Sequence, residues 1–166
     1  MINASPGATL FVSLDGTDYR IMEPTPFDKK WYSFKFNGPG LRYEIALAIL
    51  TGHIVWANGG LPCGDWPDLR LARNAFVEFL EPNEKALADK GYNDTDHFVF
   101  PSDSRNDNKR QKVIMARHET VNRRMKEFAV LGQRFRHALH KHPMCFHACL
   151  HLTQLMIEHG HPLFIV

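Results

Sequence analysis

Leu10-Phe11-Val12-Ser13-Leu14-Asp15-Gly16-Thr17-Asp18 is an apolar run of strand length that delivers an aspartate at its end, with a glycine to let the chain turn just beyond. A second such unit follows at Lys85-Ala86-Leu87-Ala88-Asp89-Lys90-Gly91-Tyr92. A third acid, Glu119, lies in a long stretch that reads as helix. Two strand-end acids and one helical acid, if they converge, supply the oxygen ligands that a hard divalent cation takes.

The rest of the composition sets the frame. A chain of 166 residues that is 44% hydrophobic can bury one substantial core. Its twelve Phe and three Trp argue against a disordered chain. The formal net charge is only +2, but its distribution is uneven. From Arg105 to His142 there are 11 Lys and Arg against 3 acids, a net of +8, which leaves 9 against 15, a net of −6, elsewhere. An acidic body with one basic helical segment suits a protein that handles a polyanion through metal, although a solvated helix face has the same composition. The three cysteines suggest no disulfide framework, and no signal peptide is visible, so a reducing compartment is the default. No apolar run approaches the ~18 residues of a membrane helix.

Residues 1–9 read as a loose N-terminus and 10–166 as one domain. The first strand covers Leu10 to Leu14, with continuation through Tyr19-Arg20-Ile21 as an option. Glu23-Pro24-Thr25-Pro26 is an irregular crossing. Trp31 to Phe36 alternates with period two, Asn37-Gly38-Pro39-Gly40 is a turn signal, and Leu41 to Leu50 and His53 to Ala57 complete three neighbouring strands, most simply antiparallel. Asn58 to Pro67 reads as a Gly- and Pro-punctuated loop, and Asp68 as a cap for the helix that follows. Residues 85–88 form a strand, Phe98 to Pro101 a short further one, and about 109–139 one long helix, with Gly132 as a weak point. Met144 to His159 is a final helix, apolar on most sides and therefore expected to be buried.

The order β-β-β-α-β-(β)-α-α can place Asp15 and Asp89 at one sheet edge if their strands are adjacent and parallel, and strand carboxyl ends are where ligands collect in such sheets. Glu119 lies about 200° from Val121 around a helix, away from the core stripe, and shares its side with Asn122 and Lys126. The side that carries the acid therefore carries a cation suited to phosphate, flanked by Arg123 and Arg124.

Four segments carry a family resemblance: SLDGTDY around Asp15, PCGDWPDLRLAR through Asp68, LADKGY around Asp89 and ARHETVNRRMKEF around Glu119. The closing FRHALHKHPMCFHACLHLTQLMIEHGHPLF adds to them. Over residues 10–164 the chain resembles the catalytic domain of the DDE superfamily of transposase-derived endonucleases, in its Harbinger/IS5-like branch. The most specific pieces are LADKGY and an acid followed, after six residues, by a basic one. The resemblance implies an α/β, RNase H-like mixed sheet flanked by helices. It also implies Asp15, Asp89 and Glu119 as catalytic metal ligands for two Mg²⁺ or Mn²⁺ ions, with Asp68 as a further candidate ligand. DNA is the implied substrate, contacted by Lys126, Arg123, Arg124 and Arg117. The branch usually has an arginine four residues before the glutamate; here Met115 stands there and Arg117 lies two before. Asp18 and Asp65 are lesser candidates.

No helix-turn-helix is evident before the catalytic segment, so a separate DNA-binding protein is an expected partner, and a catalytically inactive DNA- or protein-binding scaffold is the alternative to an active nuclease. Nuclear residence is expected if the chain is eukaryotic, and intracellular residence otherwise; no membrane association is expected. Other chemistry is weaker. Cys145/Cys149 and His147/His151 are i,i+4 pairs on faces about 200° apart, so one helix cannot gather all four around zinc. Cys63 has no evident His/Asp relay, and no GxGxxG or GKS/T motif occurs.

Overall fold

The structure, a computed structural model, describes residues 9–100 and 105–166, without the side chains of 105–108. The expected loose N-terminus thus lies outside the described residues except for Thr9, which already belongs to a strand.

Strand β1 (Thr9–Arg20) is the spine of the sheet. It pairs antiparallel with β3 (Gly38–Ala48) from Val12↔Ala48 to Arg20↔Gly40, and parallel with β5 (Glu84–Leu87) from Thr9↔Glu84 to Ser13↔Leu87. Beyond β3 lies β4 (Ile54–Pro62), antiparallel, and beyond β5 lies the short parallel β6 (Phe98–Val99). A two-residue strand, β2 (Tyr32–Ser33), pairs with the start of β3. This is a mixed six-stranded sheet with helices on both faces, an α/β fold consistent with an RNase H-like domain.

Period-two patterning explains the two layers. Val12 and Leu14 of β1 and Ala46 of β3 face one way, toward Ala72, Phe76, Tyr92 and Phe98. Tyr19, Tyr43, Ile45 and Leu47 face the other way, toward Val121, Met125, Phe146 and Ile157. The first layer is covered by α1 (Asp68–Leu71), which runs on as wider and then tighter helical turns to Phe79. The second is covered by α2 (Arg105–Glu127), α3 (Ala129–Gly132) and α4 (His142–Glu158).

Several expectations require correction. Gly16 does not turn the chain, because β3 pairs with β1 on both sides of it. Strand β3 begins at Gly38, inside the supposed turn, and the aromatic alternation of 31–36 yields only two strand residues. The supposed loop from Asn58 continues β4 to Pro62 through an irregularity opposite Arg42/Tyr43. The long helix ends at Glu127: Phe128 is extended, and a side chain on Gly132 would run into the Lys126 carbonyl. Phe135 is buried even so, because its segment bridges Ile21 at the end of β1. Helical spacing and a folded-back segment deliver apolar residues to the same core. Helix α4 buries one face only; Met144, Leu152 and Leu155 are exposed.

Gly59 shows what the β4 irregularity demands. Its φ is 134°, and a β-carbon there would collide with the Arg42 carbonyl and lie 2.5 Å from Tyr43 Cα. Both obstacles are backbone in the central sheet and cannot rotate away. Gly59→Ala is expected to cost about 2 kcal/mol in urea unfolding; a loss under about 0.5 kcal/mol would show that the bulge can relax.

The C-terminal tail is docked by one buried arginine. Arg117 of α2 donates from Nη1 to the Ile49 carbonyl (2.6 Å), and from Nε and Nη2 to the Phe164 carbonyl (2.9 and 2.7 Å). Leu163 is buried against the turn at Gly52. Among the described residues no helix is long and apolar enough to cross a membrane.

Candidate active site

The parallel pairing of β1 with β5 brings two of the expected acids together. The last paired residues are Ser13 and Leu87, and two positions further along each strand stand Asp15 and Asp89. Both carboxylates therefore sit at the same sheet edge. Asp89 is exposed, and its Oδ1 accepts from the Gly91 N–H at 2.8 Å, capping a short turn. Asp15 is held by Asn122 Nδ2 of α2, which donates to its Oδ2 at 3.2 Å. Burial pushes the Asp15 carboxyl up to about 6; Lys35 opposes this, while the charges of Asp89 and Asp68 add to it.

Asp68 arrives from the opposite face. It is the first residue of α1, whose N-cap is Pro67, so the expected capping role is not the one it plays. Its carboxylate lies where a β-carbon on Gly16 would be, and its Oδ1 is 3.4 Å from Arg42 Nη1. That oxygen is buried and has no hydrogen-bond partner. Gly16 is thus required for close approach of an acid to the spine strand, not for turning. The Asp68 carboxyl is raised, chiefly by burial, with Lys35 and Arg42 opposing and the negative neighbours Asp18 and Asp89 contributing.

Below this edge lies a buried polar layer. Asp18 receives Arg42 Nε at 2.8 Å and Nη2 at 3.0 Å, and Ser33 Oγ at 2.5 Å. Burial works against its charge, but these donors prevail and hold its carboxyl below the usual range. Glu44 is paired across the sheet with Gly16 and is fully buried, and neither carboxyl oxygen has a partner in hydrogen-bonding geometry. Burial, reinforced by Asp68 and Asp15, raises it to about 8, against the opposing Tyr92 hydroxyl and Arg42. Glu44 is therefore mainly protonated at neutral pH.

Helix α2 lies along β1. His118 meets Ser13 at 2.9 Å and, one turn on, Asn122 meets Asp15. Burial depresses His118 to about 3, so it acts as a neutral hydrogen-bonding residue. Glu119 is exposed, three residues before Asn122 and so about one turn from the Asp15 contact on the same side of the helix. Lys126 is exposed and stands 5.5 Å from the Tyr19 ring centroid. It lines a cleft of about 430 Å³ together with Gly16, Asp18, Lys35, Phe36 and Asn122. Lys35 Nζ donates to the Gly16 carbonyl at 2.7 Å, placing a cation beside Asp15.

The expected basic contacts divide. Arg123 is exposed and Lys126 faces the cleft, whereas Arg124 Nη1 donates to the His161 carbonyl at 2.6 Å. Arg117 is corrected outright: its guanidinium is buried on the Ile49 and Phe164 carbonyls and offers nothing to a phosphate. Cys149 is in the core and Cys63 is buried with its thiol pushed up, neither suited to nucleophilic work. Sequence reasoning missed Lys35, Glu44, Tyr92 and the Arg42–Asp18 pair. Only the odd charges within apolar strand 41–47 could have pointed to Arg42 and Glu44.

Hard carboxylate oxygens fit a divalent cation, and the Asp68 oxygen, which has Arg42 at 3.4 Å but no hydrogen bond, and the raised Asp15 carboxyl are what a shared positive charge would relieve. As the side chains stand, no three His, Cys, Asp or Glu among the described residues are grouped closely enough to enclose an ion.

The DDE superfamily endonuclease family model matches residues 14–154. No curated protein and no solved structure matched the chain in the corresponding searches. The family match spans most of the sequence, Asp15, Asp68, Asp89 and Glu119 included, and by that span the chain belongs to the DDE superfamily of endonucleases.

Proposed function

We propose that this DDE superfamily endonuclease is a divalent-metal-dependent DNA nuclease of transposase type, with Asp15, Asp89 and Glu119 as ligands for two Mg²⁺ or Mn²⁺ ions and Asp68 supporting them. The observation that carries the reading is the register of β1 with β5, which sets Asp15 and Asp89 level at one edge, with Asp68 close behind Gly16. Bound there, such ions supply positive charge to the attacking and leaving oxygens of an in-line phosphoryl displacement.

The chain's own residues position and screen. Asn122 fixes the Asp15 carboxylate, and Lys35 partly offsets the repulsion among the acids. Lys126 and Arg123 meet the phosphate backbone along the exposed side of α2, with Arg124 at its margin. LADKGY and the Glu119–Lys126 spacing support a reading of the chain as similar to the Harbinger/IS5-like branch, and in a eukaryotic host this work would be done in the nucleus.

Purified protein is expected to nick supercoiled plasmid in Mn²⁺ and not in EDTA, and Mn²⁺ is expected to raise its thermal unfolding midpoint. Absence of both effects would overturn the proposal, because a ligand that binds only the native state must stabilise it.

A further inference from the structure

Beside the acidic edge lies a surface to which nothing above gives a task. Between β1 and β3 the chain makes an excursion over residues 22–37 that exposes Phe27, and Phe34 to 85%. Tyr32 and Phe34 meet edge to face with centroids 5.2 Å apart. With Phe27, Lys29 and Gly64 they line an apolar hollow of about 500 Å³. On the cleft side, the Arg20 guanidinium lies 4.6 Å from the Phe36 ring centroid.

The shelf is firmly mounted. Ser33 is fully buried and bonds Asp18, and Lys35 reaches the Gly16 carbonyl, so the two residues flanking Phe34 are tied to the spine strand next to Asp15. Over residues 22–37 Lys29, Lys30 and Lys35 stand against Glu23 and Asp28, a net of +1, and Lys30 meets Asp28 at 3.0 Å. Rigid exposed rings interleaved with lysines are the chemistry of a stacking platform for bases with a track for their phosphates. In a duplex the faces of the bases are covered by their neighbours, so a ring presented in this way selects bases without a stacking partner.

We infer that Phe34, with Tyr32 and Phe27, binds unpaired nucleotides of DNA beside the scissile phosphate, so that the preferred substrate is DNA with a single-stranded flank. The inference rests on the nuclease reading for its DNA but not for its measurement, which is made in EDTA without cleavage. Full-length protein is titrated by fluorescence anisotropy against a blunt duplex and against the same duplex carrying a short thymine tail. Wild type is expected to bind the tailed DNA about tenfold more tightly. Phe34→Ala is expected to abolish that preference and leave blunt-duplex affinity unchanged, and Phe34→Trp to restore it. Because Phe34 touches little of the core, Ala should leave the circular dichroism spectrum intact. Equal wild-type affinity for the two DNAs would overturn the inference. So would an equal effect of Phe34→Ala on both, or a change in self-association by sedimentation in place of any change in tail preference. Tail-dependent binding without Mn²⁺-dependent nicking would remove the nuclease reading and leave the shelf standing; nicking without tail preference would do the reverse.

Discussion

Asp89→Asn is expected to lower Mn²⁺-dependent nicking at least about a thousandfold, while folding and DNA affinity in EDTA stay at wild-type levels. The separation follows from the local geometry. Asp89 is exposed and its structural task is to accept the Gly91 N–H, which an asparagine carbonyl can also do. What asparagine cannot supply is the negative charge beside Asp15. A loss of about 4 kcal/mol in stabilisation of the displacement corresponds to a thousandfold in rate. Asparagine also removes a carboxylate that raises Asp15, so Asp15 should ionise at lower pH in the variant, a shift visible by carboxyl-carbon NMR. Retained nicking by Asp89→Asn would move the reaction away from this edge.

The second large effect concerns stability and pH. Glu44 has an ordinary carboxyl value of 4.5 in the unfolded chain and about 8 in the folded one. The folded state therefore holds the extra proton between these values. Its advantage is full below pH 4.5 and is lost as pH rises to about 8. Asp15, raised to about 6, acts in the same direction at lower pH, whereas His118 and His142, both lowered by burial, act in the opposite direction below 6.5. From pH 6.5 to 8 Glu44 alone is expected to cost wild type about 2 kcal/mol in urea unfolding, with Asp68, also raised by burial, acting in the same direction. Glu44→Gln replaces the protonated acid by a neutral group of the same shape. It is expected to flatten that slope and to be more stable than wild type at pH 8 by at most about 4 kcal/mol. Parallel pH profiles for the two proteins would show that Glu44 ionises freely despite its burial.

The sequence disclosed the parts of the site that depend on strand periodicity. Apolar runs ending at Asp15 and Asp89 allow both acids at one edge if their strands are adjacent and parallel, and β1 and β5 meet that condition. Helix α2 was legible for the same kind of reason, as Val121 and Met125 do form a buried stripe, but the apolar spacing that continues past Glu127 belongs to no helix of that length. Long-range contacts were not legible. That Gly16 admits Asp68 through the sheet, or that Asn122 is the helix residue touching Asp15, depends on tertiary approach rather than on local pattern. Gly38 to Gly40 and Asn58 to Pro62 carried strong turn chemistry, yet ladder bonds to their neighbours override it. Arg117 was a plausible phosphate contact by composition; its burial is decided by a tail far away in the chain.

That tail braces the candidate site from a distance. The helix bearing Glu119, Asn122 and Lys126 seats its own buried guanidinium on the carbonyl of Phe164. The other acceptor of that guanidinium, the Ile49 carbonyl, lies just past β3, so one side chain joins the sheet to a segment distant in sequence. Loosening residues 163–164 from the turn at Gly52 should therefore unsettle the helix that holds Asp15 through Asn122, although none of the acids is touched.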